Sequence, residues 1–282
     1  MWKQYLIETS RGNFEYFQKG HGKPLCVTHL YSEFNAKGNT FALPFTEHYS
    51  VYLINLKGCG ESDEVEYESE YSMSETVKDL EAIREALTIK KWGFAGHSTG
   101  GMLALMYAIK AQESLTKIIA GGLSASAEYM NHRGSIYCKE NPNNTRIKEI
   151  IKLLESPKTP IEERRALNKE WALMSIFDPE RYDDIMNRPN SGKVVSVRLK
   201  YFSNEELKSY DLRSNLPNIF IPAFIYCGLY DAQCPHEFSK EAADLIPSAT
   251  MTTFVLSNHS PFVEEEEKFK QFVTGTLNDY IY

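Results

Sequence analysis

The chain has 282 residues, 42% of them hydrophobic and 24% charged, a size and balance that suit one substantial α/β domain and exclude a fibrous or disordered class. Its formal net charge of -7 offers no overall basic field for a phosphate backbone, which excludes nucleic acid as the expected partner. No run reaches the roughly 18 apolar residues of a membrane span, and the opening MWKQYLIETSRGNFEYF lacks the apolar core of a secretory signal, so a cytoplasmic protein without a membrane partner is expected.

The first segments, QYLIET and FEYFQKG, flank the turn signal Ser10-Arg11-Gly12-Asn13 and read as an antiparallel hairpin. The apolar strands LCVTHL and YSVYLINL follow. Ser72-Met73-Ser74-Glu75 has a capping-box pattern and leads into Met73, Val77, Leu80, Ile83 and Leu87 at helical spacing, so a helix should precede the strand ending at Ala95. After Ser98 the alternation continues: a helix from about Gly100 to Ala111, the strand LTKIIAGG, and later IFIPAFIYCG and TTFVLS around a helical run from His236 to Leu245. Such alternation implies a mainly parallel sheet covered on both faces.

Between Leu123 and Tyr210 the strand signals nearly vanish. RIKEIIKLLESP and TPIEERRALNKEWALMSIF read there as amphipathic helices broken at Pro157, Pro160 and Pro179. The expected organisation is a core made of residues 1–123 and 209–282, interrupted by a helical insertion at 124–208. The run Glu264 to Glu267 reads as a charged first turn of the last helix. Five cysteines are an odd number without C-x-x-C spacing and read as free thiols, with Cys26, Cys59 and Cys227 beside apolar segments as small core residues.

Gly96-His97-Ser98-Thr99-Gly100 places one hydroxyl between glycines where a strand gives way to a helix. The pattern is short, and its weight comes from that context, because small residues permit the sharp turn that lifts a serine above the sheet edge. The plain alternative is a turn serine without chemistry. A serine nucleophile needs an imidazole to accept its proton and a carboxylate to hold that imidazole. Asp231 in FIYCGLYDAQCP and His259 in VLSNHSPF each follow a predicted strand, so both should emerge on the rim that carries Ser98. Asp211 reads as a cap residue, and His21, His48, His132 and His236 as solvated histidines. His97 should point away from the nucleophile and shape the pocket wall.

These residues resemble the α/β-hydrolase superfamily over essentially the whole chain. The likeness rests on Gly96-His97-Ser98-Thr99-Gly100, on Asn55-Leu56-Lys57-Gly58-Cys59-Gly60-Glu61-Ser62, which is similar to D-x-R-G-x-G-x-S, on Gly228-Leu229-Tyr230-Asp231 and on Asn258-His259-Ser260-Pro261. The resemblance implies an eight-stranded, mainly parallel sheet, a helical cap, and Ser98, Asp231 and His259 as a triad acting without cofactor or metal. It also implies an oxyanion hole from the backbone N–H groups of Thr99 and Tyr31. The second segment departs from the usual H-G-x-P, since it reads His29-Leu30-Tyr31-Ser32.

The layout of SYDLRSNLPNIFIPAFIYCGLYDAQCP and EWALMSIF is similar to the prolyl aminopeptidase-like branch. Two of that branch's signatures are replaced: H-G-G-P-G reads His29-Leu30-Tyr31-Ser32-Glu33, and the amine-holding Glu after the cap Trp is Ala172. Glu170 and Glu128 are the candidate substitutes. His29, Leu30, His97 and Trp171 are the candidate pocket residues. The expected activity is acyl transfer from a small-molecule or short-peptide substrate, an ester or an amide, with aminopeptidase action as the alternative. A carboxylate-nucleophile hydrolase is disfavoured by serine at position 98, and a non-catalytic ligand-binding protein on the same fold is the reading from another class.

Overall fold

A computed structural model describes residues 1–278; the last four residues of the expected second core segment, 279–282, lie outside the described residues. Ten strands are described: β1 (Lys3–Thr9), β2 (Gly12–Lys19), β3 (Lys23–Val27), β4 (Ser32–Glu33), β5 (Tyr49–Ile54), β6 (Trp92–His97), β7 (Leu115–Gly121), β8 (Lys193–Val194), β9 (Ala223–Gly228) and β10 (Ala249–Phe254). Eight of them form one sheet in the order β1-β2-β5-β3-β6-β7-β9-β10. The β1–β2 and β2–β5 pairs are antiparallel and every other pair in that sheet is parallel. The expected α/β-hydrolase sheet is therefore present.

Central strands are buried on both faces, and successive side chains enter opposite cores. Phe94 and Ile225 pack with helices α1 (Met73–Ala86) and α2 (Thr99–Ala111), whereas Ala95, Phe224 and Tyr226 pack with Phe262, Phe269 and Val273 near the C-terminus. Helix α1 begins where the capping box placed it, with the Ser72 hydroxyl accepting from the Glu75 N–H at 3.2 Å.

Several strand boundaries differ from expectation, those of β3, β9 and β10 among them. β3 ends at Val27, so Thr28, His29 and Leu30 leave the sheet as a loop. β9 begins only at Ala223, because Pro222 has no N–H to give the ladder while its carbonyl accepts from Ile118. β10 runs from Ala249 and stops at Phe254, leaving Val255 and Leu256 exposed in a turn.

In the expected insertion lie α3 (Asn144–Glu155), α4 (Ile161–Leu173), α5 (Tyr182–Met186) and α6 (Ser196–Tyr201), with Pro157 and Pro160 between the first two. An element without a sequence signal, β8, pairs antiparallel with β4 through Ser32↔Val194 and Glu33↔Lys193. Two residues are too few to show a period. Beyond the insertion, α7 (His236–Leu245) matches its expected span, and α8 (Pro261–Glu264) and α9 (Glu266–Gly275) end the described chain. No helix among the described residues is long and apolar enough to cross a membrane.

Candidate active site

Ser98 sits between β6 and α2 at φ 57° and ψ -123°, a left-handed conformation that L-residues adopt only under constraint. The constraint is steric and hydrogen-bonded. A side chain at Gly96 would overlap the Gly100 carbonyl, and one at Gly100 would sit 2.6 Å from the Thr28 carbonyl oxygen. The Ser98 N–H donates to the Gly121 carbonyl at 2.9 Å, and its own carbonyl accepts from the Met102 N–H at 3.0 Å. Helix α2 therefore starts at Thr99, one residue before the expected Gly100.

Asp231 and His259 follow β9 and β10, and both are buried. His259 Nδ1 lies 2.9 Å from each Asp231 carboxylate oxygen. Oδ1 also accepts the N–H groups of Gln233 and Cys234, each at 2.9 Å, which fixes the carboxylate plane. An ionised carboxylate only accepts, so the imidazole proton resides on Nδ1 and leaves Nε2 as an acceptor. The ring lies against the loop that Ser98 is tied to: a side chain at Gly122 would come within 3.3 Å of His259 Cε1.

The segment 258–260 is held from below by Glu264, which accepts N–H bonds from Asn258 at 2.9 Å and Ser260 at 3.1 Å. Its other oxygen accepts from Phe177 of the inserted segment at 2.5 Å. This corrects the reading of Glu264 as part of the charged first turn of the last helix, since it ends α8 and α9 begins only at Glu266. It is buried, and burial pushes its carboxyl above the ordinary range.

His29 sits in the loop after β3. Its Nδ1 accepts from the Ser32 hydroxyl at 2.9 Å and from the Tyr31 N–H at 3.4 Å, so Nε2 carries the proton and donates to Thr99 Oγ1 at 3.0 Å. Burial, with repulsion from His259 and Arg198, pulls its pKa down to about 3 and keeps it neutral. His97 directs Nδ1 to the Tyr226 hydroxyl at 3.0 Å, and its ring centroid lies 4.6 Å from that of His259.

Against His29 and His97 is a cavity of about 260 Å³, walled also by Phe34, Phe41, Ile185 and Phe262 among others, with Ser98, Asp231 and His259 outside its lining. Among the described residues lining it, none is a carboxylate. Of the four candidate pocket residues, His29 and His97 reach this cavity. Leu30 is buried in the core, and Trp171 on α4 is not among the residues that line the cavity. The candidate amine anchors are engaged elsewhere: Glu170 pairs with Arg146 at 2.6 and 2.7 Å, and Glu128 with Arg213 at 3.0 Å. All five cysteines are buried and free, including Cys138 and Cys234.

A family model described as alpha/beta hydrolase fold matches residues 29–266. The chain is 24% identical to a proline iminopeptidase of Heyndrickxia coagulans, with 99% of each chain covered. It is 28% identical to one of Saccharolobus solfataricus, over 99% of this chain and 97% of that one. Among solved structures, an alpha/beta fold family hydrolase from Bacillus anthracis str. Sterne is 62% identical, with a TM-score of 0.97 over 98% of this chain and 99% of that one. A thermophilic esterase from Thermogutta terrifontis shares the fold, at a TM-score of 0.71 and 18% identity over 98% of each chain. With the sheet, the serine at the β6–α2 turn and the family match in agreement, the chain belongs to the alpha/beta hydrolase fold family and is a hydrolase.

Proposed function

We propose that this hydrolase cleaves small uncharged esters or amides through an acyl-enzyme on Ser98. The Ser98 oxygen attacks the substrate carbonyl while His259 Nε2 takes the hydroxyl proton. Asp231 keeps the other imidazole proton on Nδ1 and stabilises the imidazolium. The N–H groups of Thr99 and Tyr31 receive the oxyanion. Collapse of the tetrahedral intermediate breaks the bond to the leaving group, which departs with the proton from His259. Water then adds to the acyl-enzyme with the same imidazole as base, releasing the acid and restoring Ser98.

The observation that carries this reading is the 2.9 Å pairing of His259 with Asp231 beside the loop that holds Ser98 in its left-handed turn. The choice of an uncharged substrate rests on the carboxylate-free cavity wall: an ammonium brought there would lose hydration without gaining a counter-charge. A second reading, release of an N-terminal residue, is favoured by the proline iminopeptidase relatives. It is weakened by the ion pairs that occupy Glu170 and Glu128.

The test is turnover by wild type and Ser98→Ala of short-chain p-nitrophenyl esters against Pro-, Ala- and Leu-p-nitroanilides. Ester cleavage that disappears in the variant is expected. Preferential cleavage of the Pro anilide would transfer the assignment to the aminopeptidase reading, and no turnover depending on Ser98 would favour a ligand-binding protein.

A further inference from the structure

The loop His29-Leu30-Tyr31-Ser32 contains neither glycine nor proline, so residue type alone does not fix the direction of its peptide groups. Their fixation comes from the inserted segment. β8 pairs with Ser32 and Glu33, the Val195 N–H donates to the Tyr31 carbonyl at 2.9 Å, and Arg198 Nε donates to the Leu30 carbonyl at 2.5 Å. Residues 193–198 thus take the carbonyls on both sides of Tyr31.

Arg198 is well placed to hold a direction. The residue is 2% exposed, and its remaining guanidinium nitrogens donate to the Lys57 carbonyl at 2.9 Å and the Thr76 hydroxyl at 3.1 Å. The guanidinium carbon lies 5.2 Å from the Tyr71 ring centroid. A planar group fixed at three points cannot swing. The Leu30 carbonyl and the Tyr31 N–H belong to one planar trans peptide, so anchoring the oxygen aims the N–H from the opposite edge. A cationic donor on that oxygen also polarises the amide and strengthens its N–H as a donor. The Tyr31 N–H has a long 3.4 Å contact to His29 Nδ1, weak enough to yield to a developing oxyanion.

We propose that Arg198 is a positioning residue, which through the Leu30–Tyr31 peptide sets and strengthens the second oxyanion donor. The inference rests on the acyl-enzyme reading above. It makes the inserted segment a structural part of the oxyanion hole as well as a cover over the cavity.

Arg198→Lys keeps the charge and loses the planar three-point grip. With a p-nitrophenyl ester, kcat should fall about 10- to 100-fold with KM within about threefold of wild type. The inhibition constant of a trifluoromethyl ketone, which forms a tetrahedral adduct on serine, should rise by a similar factor, while that of the matching unreactive alcohol stays constant. Val195→Pro removes the N–H to the Tyr31 carbonyl, while also drawing φ from -92° toward about -65°, and should lower kcat in the same direction by about threefold to tenfold; it serves as the second probe if Arg198→Lys does not fold. A folded variant with unchanged kcat and ketone affinity, or a loss confined to KM, would overturn the proposal. Wild-type turnover that survives Ser98→Ala would instead remove the acyl-enzyme reading, and this inference with it.

Discussion

A methyl group at position 96 would overlap the Gly100 carbonyl across the turn that carries Ser98, and neither backbone can retreat, since Gly100 already lies against Thr28. Gly96→Ala should therefore cost about 3 kcal/mol or more in urea unfolding and abolish phosphonate labelling of Ser98; wild-type labelling in the variant would show the turn to be adaptable. Asp231 makes a different kind of demand. Its carboxylate accepts a hydrogen bond from His259 Nδ1–H together with those from two backbone N–H groups. An amide offers one acceptor oxygen and turns two protons toward donors. Asp231→Asn should leave the fold intact by circular dichroism and lower kcat on esters by about 10³–10⁴, because the imidazole tautomer is no longer set. Retention of more than a tenth of wild-type kcat would contradict the role given to Asp231. Ser98, Asp231 and His259 could be proposed from sequence because each sits in a short segment next to a strand end. Arg198 and Glu264 could not, because nothing local to them specifies partners. Arg198 reaches Leu30 across 168 positions, and Glu264 stands in a run of four glutamates that otherwise looks solvated.

At the level of elements, the long periodic pieces were legible and the short irregular ones were not. Helix α1 had its capping box and apolar spacing, and α7 its helical run from His236 to Leu245; both are where expected. β4 and β8 are two residues each, and their pairing depends on the chain returning from the insertion, which no local pattern encodes. The turn formed by α8 belongs to the same class. It places Glu264 under the N–H groups on either side of His259 and under Phe177 of the inserted segment, so one carboxylate fixes the His259 loop to the sequence above it. Glu264→Gln keeps the size but presents an NH₂ to these donors, and a buried donor facing a donor costs about 1–3 kcal/mol. The variant should melt several degrees lower and lose about tenfold or more in kcat as His259 shifts. A lowered melting temperature with kcat unchanged would confine Glu264 to stability.

Across the whole molecule, parallel strands carry the Ser98 turn, Asp231 and His259 at their C-terminal ends, and Phe177 and residues 193–198 hydrogen-bond to the loops beside them through Glu264, Leu30, Ser32 and Glu33. His29 and His97 are there partly withdrawn from water, and burial links folding to pH. His29 is held down to about 3 chiefly by burial, and His97 lies well below the ordinary 6.5 for the same reason. In the unfolded chain a histidine takes up its proton near 6.5. Between that value and about 3 the unfolded state therefore binds more protons than the folded one at His29, so stability is full above pH 6.5 and is lost as the pH falls. The loss from His29 alone amounts to at most about 2 kcal/mol at pH 5, set by a limiting slope of about 1.4 kcal/mol per pH unit. Carboxylates raised by burial, Glu264 and Glu206 among them, work in the opposite sense, since the folded state holds their protons more tightly. Subtraction removes those contributions. Urea unfolding of wild type and His29→Gln at pH 7.5 and pH 5 should show the wild type losing more stability between the two, by up to about 2 kcal/mol. Equal losses would mean that His29 takes up its proton inside the folded protein, and the neutral Nε2–H donor to Thr99 would then no longer describe the site at pH 5.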